Sequence, residues 1–320
     1  MAAGTKADFV INDAVASMAY IEKLQQNVEA FNGASNGAIV LTTESLIGDF
    51  EKQDFFKELA EATMAKHRDP ADITDITPDK LEQLSKINPK VNRYSFISNT
   101  LDSFKKKGWT ADTFSMLVGE AAADASMADQ LNTLLACGQG AILDQATPMI
   151  DGNGLADVTY EDIPPLLGKF GDQIGSIKLL VMHSTTYYNL MGTSVAEKLW
   201  NVAGNTINEG SNPTFGIPTL VTDSASLDMD AGKALMALTD GALVGVDSET
   251  LTVDAGVVRG QQNLLLEVQN EWAYSIRVKG YSYTLGTVSP TNAELIVGTS
   301  WTLVSTDLKN TCGAIFNTLT

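Results

Sequence analysis

Residues 110–140 read TADTFSMLVGEAAADASMADQLNTLLACGQG, and their spacing sets the architecture of the whole chain. Phe114, Leu117, Val118, Ala121, Ala125, Ala128, Leu131 and Leu135 fall three or four residues apart, which gives an α-helix one continuous apolar face. Thr110 offers the hydroxyl that caps the first free amides of such a helix, and Gly138 and Gly140 are its expected stop. From Ala111 to Cys137 the helix would run about 40 Å, over twice the usual globular length. An element of that length is a strut on which other parts are laid. Ala121, Ala122 and Ala123 in its middle let another backbone come close.

Upstream, residues 1–36 form an arm. Ala14, Met18, Ile21, Leu24 and Val28 repeat at helical spacing, with Asp8 and Asp13 near the start. The cluster Phe31-Asn-Gly-Ala-Ser-Asn-Gly37 ends that helix. Because ordering an arm costs about 1–2 kcal/mol of backbone entropy per residue, the arm is expected to lie on a neighbouring chain. Ala38–Thr42 is a short strand. Residues 48–95 hold much of the charge and few long apolar runs, the pattern of a flap reaching away from a core. Within them Phe55, Leu59 and Met64 suit a weak helix, although Phe55-Phe56 suits a strand equally. Thr77-Pro78-Asp79 has the caps of a helix start and Ile87-Asn88-Pro89 those of a stop, while Val91–Phe96 alternates as a strand does.

Downstream the pattern becomes α/β. Tyr160–Phe170 reads as a helix interrupted early by Pro164-Pro165, and Ile177–Met182 and Ile217–Thr222 as buried strands. His183-Ser184 opens a helix through Tyr187, Leu190 and Met191. Asp240-Gly241 between Leu235–Leu238 and Ala242–Val246 signals a hairpin. The last third is strand-rich: Leu264–Val268, Trp272–Leu285 and Trp301–Val304. A length of 320 residues suggests roughly two domains.

Charge excludes whole classes of function. The chain carries 21 basic and 39 acidic residues, a net −18, spread as −8 over residues 1–150 and −10 over 151–320. Such a surface repels phosphate backbones and anionic lipid, so a groove-reading nucleic-acid binder is excluded. No stretch of about 18 apolar residues exists and the first residues lack the apolar centre of a signal peptide, so neither secretion by the general route nor a membrane span is expected. Cys137 and Cys312 stand alone, without metal-ligand spacing.

Candidate chemistry is sparse, and no catalytic, cofactor-binding or metal-binding residue is assigned. His183, Ser184 and Asp223 could be sketched as a hydrolase triad, but nothing resembles Gly-x-Ser-x-Gly, and a histidine at a strand end serves more often as a cap. His67 lies in the charged flap. Asp49, Glu51 and Asp54 lack the loop length and glycine of a calcium hand. Gly168-Lys-Phe-Gly171-Asp-Gln-Ile-Gly175 precedes a strand where a phosphate-cradling loop would follow one. Lys105-Lys106-Lys107 is the only basic run, too short for nucleic acid and better suited to pairing neighbouring copies. The pattern is architectural: arm, flap, strut and a late-returning α/β unit gain most from a large homo-oligomer.

Taken in order, several stretches resemble the major capsid proteins of tailed bacteriophages, which have the Hong Kong 97-type (Johnson) fold. They are Phe31–Leu41, Gly48-Asp-Phe50, Phe55-Phe56, Arg68-Asp69, Val91-Asn-Arg93, Asp129–Asn132, Leu180–Ser184, Phe215–Asp223, Pro290–Leu295, Trp301 and Lys309–Ala314. The resemblance implies an α+β fold with an N-terminal arm (1–47), an extended loop (48–95) overlapping a neighbour, and a peripheral domain with a spine helix (96–142). An axial α/β domain (143–255), a return to the peripheral domain (256–294) and a C-terminal axial segment (295–320) would follow. It implies a non-enzymatic coat of hexamers and pentamers around double-stranded DNA, without cofactors or membrane, in a virion assembled in the host bacterial cytoplasm. Portal, scaffolding and decoration proteins are the implied partners. An encapsulin-like compartment shell and a cytosolic α/β hydrolase remain the alternatives.

Overall fold

A computed structural model of the chain describes residues 13–57, 64–76, 78–100, 111–143, 149–151, 158–192, 216–229, 232–258, 262, 265–305 and 307–317. Helix α1 (Asp13–Ala34) leads into β1 (Ile39–Thr43), β2 (Phe50–Phe56) and the long β3 (Gln83–Thr100). The strut is α2 (Ala111–Leu143). Then come β4 (Met149–Asp151), α3 (Ile163–Gly168), β5 (Ile177–His183), a helix over 184–192, β6 (Thr219–Thr222) and β7 (Leu235–Thr239). The chain closes with β8 (Leu243–Val258), β9 (Leu265–Val278), β10 (Tyr281–Tyr283), a short helix Asn292–Leu295, β11 (Trp301–Leu303) and β12 (Gly313–Asn317).

Two five-stranded sheets organise these elements. The first has the order β1-β8-β9-β3-β2, with β1 parallel to β8 and the other pairs antiparallel. The second has the order β4-β12-β7-β5-β6. Alternation in β5 and β7 explains their unbroken apolar runs. Leu179, Val181, Met236 and Leu238 enter the core shared with α2 and the first sheet, while Leu180, Met182, Leu235 and Ala237 pack with α3 on the other face. In α3, Pro164 and Pro165 follow Ile163 in the first turn, where the missing amides have no intrahelical partner to lose.

The strut outruns its expected end. Gly138 and Gly140 lie inside α2, which at 33 residues is about 50 Å long. Gly140 is there for clearance: a Cβ on it would sit 2.3 Å from the Leu295 carbonyl, and one at Gly119 would sit 2.3 Å from that of Ala16. The second contact lays α1 along α2 of its own chain, where a neighbouring chain was expected. The buried face of α1 is Ala16 and Tyr20, with Met18 and Ile21 exposed, and Tyr20 Oη meets Ser126 Oγ at 3.2 Å.

Three further expectations change. The helix between Thr77-Pro78 and Pro89 is not formed, since Gln83–Pro89 pairs with β2 instead. Pro89 is tolerated because β3 joins β9 only from Lys90↔Ser275, so the missing amide breaks no ladder bond. The turn at Asp240-Gly241 is real (Gly241 φ +60), but it passes the chain from the second sheet to the first and joins no hairpin. The border expected at 255–256 falls inside β8, which pairs with β9 from Leu243↔Val278 to Val258↔Leu265.

Candidate functional site

The hairpin of β2 and β3 is the most unusual surface of the chain. Its strands pair from Phe50↔Pro89 to Phe56↔Gln83, and the described residues beyond them, 64–76 and 78–82, form no regular ladder of their own. Ile73 and Ile76 there are 98% and 87% exposed, and Phe56, Met64 and Leu81 are exposed as well. Burying an isoleucine side chain is worth about 1.5–3 kcal/mol, so this segment forgoes much of its apolar stabilisation in the isolated chain.

The base of the hairpin is held by charge. Arg277 of β9 donates from Nε to both Glu51 oxygens at 2.9 and 2.8 Å, and from Nη2 to Glu44 Oε2 at 2.7 Å. Burial pushes the Glu51 carboxyl up, yet the bonds and charge of Arg277, with Gln53 and Ser275, outweigh it and leave the group below the ordinary glutamate value. Lys86 of β3 reaches the Val278 carbonyl, and burial brings its ammonium down to about 8. A cleft of about 340 Å³ opens beside it, lined by Phe55, Phe56, Lys86 and Lys279.

A second network ties the strut to the sheet. Arg93 Nε meets Asp129 Oδ2 at 3.0 Å and its Nη2 meets Asn292 Oδ1 at 2.6 Å. Tyr274 Oη donates to the same Asp129 oxygen at 2.6 Å and lies 2.9 Å from Thr133 Oγ1. Burial, then the neighbouring Asp129 charge, push the Tyr274 hydroxyl far above its ordinary range, so it stays a donor. Neither network was legible beforehand, because the partners of the two arginines stand 36 to 233 residues apart in sequence.

The candidates read from sequence fare differently. His183, Ser184 and Asp223 do meet, but in the wrong order for a nucleophile relay. Ser184 Oγ bonds the Asp223 carboxylate directly, while His183 Nε2 is 3.7 Å from it. His183 Nδ1 lies 3.0 Å from Thr185 Oγ1 and 3.2 Å from the Thr185 amide, so the ring caps the helix over 184–192. Glu51 is committed to Arg277, Asp54 is exposed, and His67 is exposed in the hairpin's outer segment. Among the described residues no three His, Cys, Asp or Glu side chains are placed to hold a metal ion. Gly168 ends α3 ahead of β5, as expected of a structural turn. Cys137 and Cys312 are buried free thiols, and burial raises both, Cys312 to about 12. Asp8, Leu59, Thr77, Thr110 and Lys105–Lys107 lie outside the described residues.

What remains is a set of surfaces built to meet other surfaces. A family model described as Gp13-like, major capsid protein 13-like, matches residues 8–315. No curated protein sequence matches the chain. Among solved structures, the head structure of Helicobacter pylori bacteriophage KHP40 aligns at a TM-score of 0.51 and 10% identity, covering 90% of this chain and 89% of that one. A chain from Mycobacterium phage Cain aligns at a TM-score of 0.50 and 10% identity, covering 86% and 90%. At such identities the likeness speaks for the fold, which is the Hong Kong 97-type fold of capsid proteins.

Proposed function

The chain belongs to the Gp13-like family of major capsid proteins, and on that footing we propose that it closes, as hexamers and pentamers of itself, into the icosahedral coat of a tailed bacteriophage around packaged double-stranded DNA. The observation that carries this reading is the family match, which spans nearly the whole chain. The exposed apolar segment around Ile73 and Ile76 supports it, since an exposed apolar patch marks a contact surface for a neighbour. The net charge of −18 supports enclosure of DNA without a grip on it, so that a moving genome does not stall on the wall.

In this reading residues 1–47 are the arm, 48–95 the extended loop over a neighbour, 96–142 the peripheral domain with its spine helix, and 143 onward the axial domain. The pairing of β8 with β9 along its whole length, from Leu243 to Val258, supports starting the return to the peripheral domain at Leu243 instead of 256. Residues 295–320 re-enter the axial domain, consistent with β12 between β4 and β7. The coat carries no catalytic centre. Assembly takes place in the host bacterial cytoplasm with a scaffolding protein and a portal.

Electron microscopy of the expressed chain, alone and with its phage's other head proteins, tests the proposal. Closed icosahedral particles with hexameric and pentameric capsomers are expected. A chain that stays monomeric under all assembly conditions and is absent from virions would overturn it.

A further inference from the structure

Among the described residues, one edge of the first sheet carries none of the protection edge strands usually have. Strand β2 covers β3 only as far as Pro89, so beyond that point the outer side of β3 has no strand partner among the described residues. In an antiparallel strand the N–H and C=O of one residue face the same side, and sides alternate along the chain. The Asn92 amide meets Ser289 Oγ at 3.0 Å on the side away from β9. Tyr94, Phe96 and Ser98 therefore present their backbone groups to that same outer side.

The side chains agree. Tyr94, Phe96 and Ile97 are 74%, 54% and 49% exposed, so both faces of the strand are wet here. The segment Tyr94-Ser-Phe-Ile-Ser-Asn-Thr100 contains no charge, proline or glycine. Proteins normally blunt an edge with just those residues or with a bulge. The opposite edge of the same sheet is blunted in that way: past its pairing with β1, β8 has irregularities between Asp247 and Thr252 and carries exposed Asp254 and Gly256. An unblunted strand of this composition pairs readily with another.

We infer that the Tyr94–Ser98 edge of β3 pairs antiparallel with the same edge of a second copy across a two-fold axis, with Phe96 opposite its own mate. The inference rests on the shell reading above. Three features point to a second copy as the occupant. An antiparallel pair of identical strands is self-complementary, as an isologous contact requires. Two copies at −18 each repel wherever their acidic surfaces meet, and this edge adds no charge to that repulsion. In a shell, neighbouring copies are also present at very high effective concentration. Centring the pair on Phe96 sets the two aromatic rings against each other, places Tyr94 opposite Ser98, and leaves Asn92 with Ser289.

Disulfide trapping in assembled particles tests this. The two residues of a hydrogen-bonded antiparallel pair stand about 5.5 Å apart at Cα, within the reach of a disulfide. Phe96→Cys particles should give covalent two-chain species on mild oxidation, about ten-fold more than Ser98→Cys particles, whose cysteines stand opposite Tyr94. Particles co-assembled from Tyr94→Cys and Ser98→Cys chains should cross-link as Phe96→Cys does, which keeps the test independent of the Phe96 substitution. Intact particles in which Phe96→Cys stays monomeric, or cross-links no better than Ser98→Cys, overturn the pairing and leave the shell reading intact. Attachment to a different protein at Cys substituted for Phe96 also overturns it. Failure of the unsubstituted chain to form any shell overturns the shell reading, and the inference falls with it.

Discussion

Replacing Arg277 by methionine isolates the clamp at the base of the extended loop. Methionine keeps most of the arginine stem's volume and removes the guanidinium, so the loss is electrostatic. The side chains of Glu51 and Arg277 are 11% and 20% exposed, well inside the surface. Breaking a fully buried pair costs about 3–5 kcal/mol and an exposed pair under about 1, so this partly buried, bidentate case should cost about 2–3 kcal/mol near pH 7. Glu44 is half-exposed, and Glu44→Gln should cost less than about 1 kcal/mol. The pH dependence gives the sharper signature. Glu51's folded value lies below its unfolded one, so its contribution is full above about pH 4.5 and is lost as pH falls through the folded value. In Arg277→Met desolvation is opposed only by the Gln53 and Ser275 bonds, so the folded value rises and acidification costs the variant less than the parent. The difference between the two proteins should therefore shrink steadily from pH 7 to pH 4. Denaturant unfolding across that range reads it, and amide exchange over Phe50–Phe56 localises it. A cost no larger than that of Glu44→Gln, or one that stays constant with pH, would refute the reasoning.

Two glycines inside the strut should respond unequally to the same change. Gly140→Ala sets a methyl 2.3 Å from the Leu295 carbonyl and 2.8 Å from the Ile296 carbonyl carbon, rigid atoms both, and should destabilise by about 1–3 kcal/mol. Gly138→Ala meets only the tips of Met236 and Leu243 at 3.1 Å or more, and the roughly 1 kcal/mol of helix propensity gained should leave it near neutral in thermal unfolding. Ile73→Asp should leave the soluble chain's stability within about 0.5 kcal/mol, because the side chain is 98% exposed, yet should abolish particle formation in sedimentation. Assembly should also depend on ionic strength, since −18 on every copy repels over roughly 30 Å at 10 mM salt and about 8 Å at physiological salt; light scattering that grows equally under both conditions would contradict this.

What the sequence made legible followed from chemistry between near neighbours in the chain. The strut declared itself through three- and four-residue spacing, and β5 through an aliphatic run that only a strand covered on both faces would keep. The same local reading misled where distant contacts decided. Thr77-Pro78-Asp79 carries sound helix-start chemistry, but Gln83–Pro89 forms a ladder with β2, and seven paired positions outweigh a cap. Gly138 and Gly140 look like a helix end until the Ile296 backbone is seen pressed against the turn that holds them. Asp240-Gly241 did specify a turn; which strands it served depended on two sheets that no local window contains. The Arg93 and Arg277 networks left no trace at all, because an arginine and its partner, when far apart in sequence, look the same as two solvated charges.

A strongly acidic chain that must associate with itself faces a selection problem, because long-range repulsion is present in every orientation. Association is then favoured only where the meeting surfaces carry no net charge or where cation and anion are already paired. Arg277 and Arg93 are spent inside the chain on Glu51, Glu44 and Asp129, so these two arginines neutralise its own frame. Among the described residues, surfaces with apolar or backbone character include the segment around Ile73 and Ile76 and the Tyr94–Ser98 edge. Contacts of that kind are short-ranged and geometrically exacting, while the repulsion they work against is long-ranged and weakened by salt. That division lets ionic conditions govern whether copies approach and lets geometry govern how they join, so that misoriented encounters separate again before a shell can close around an error.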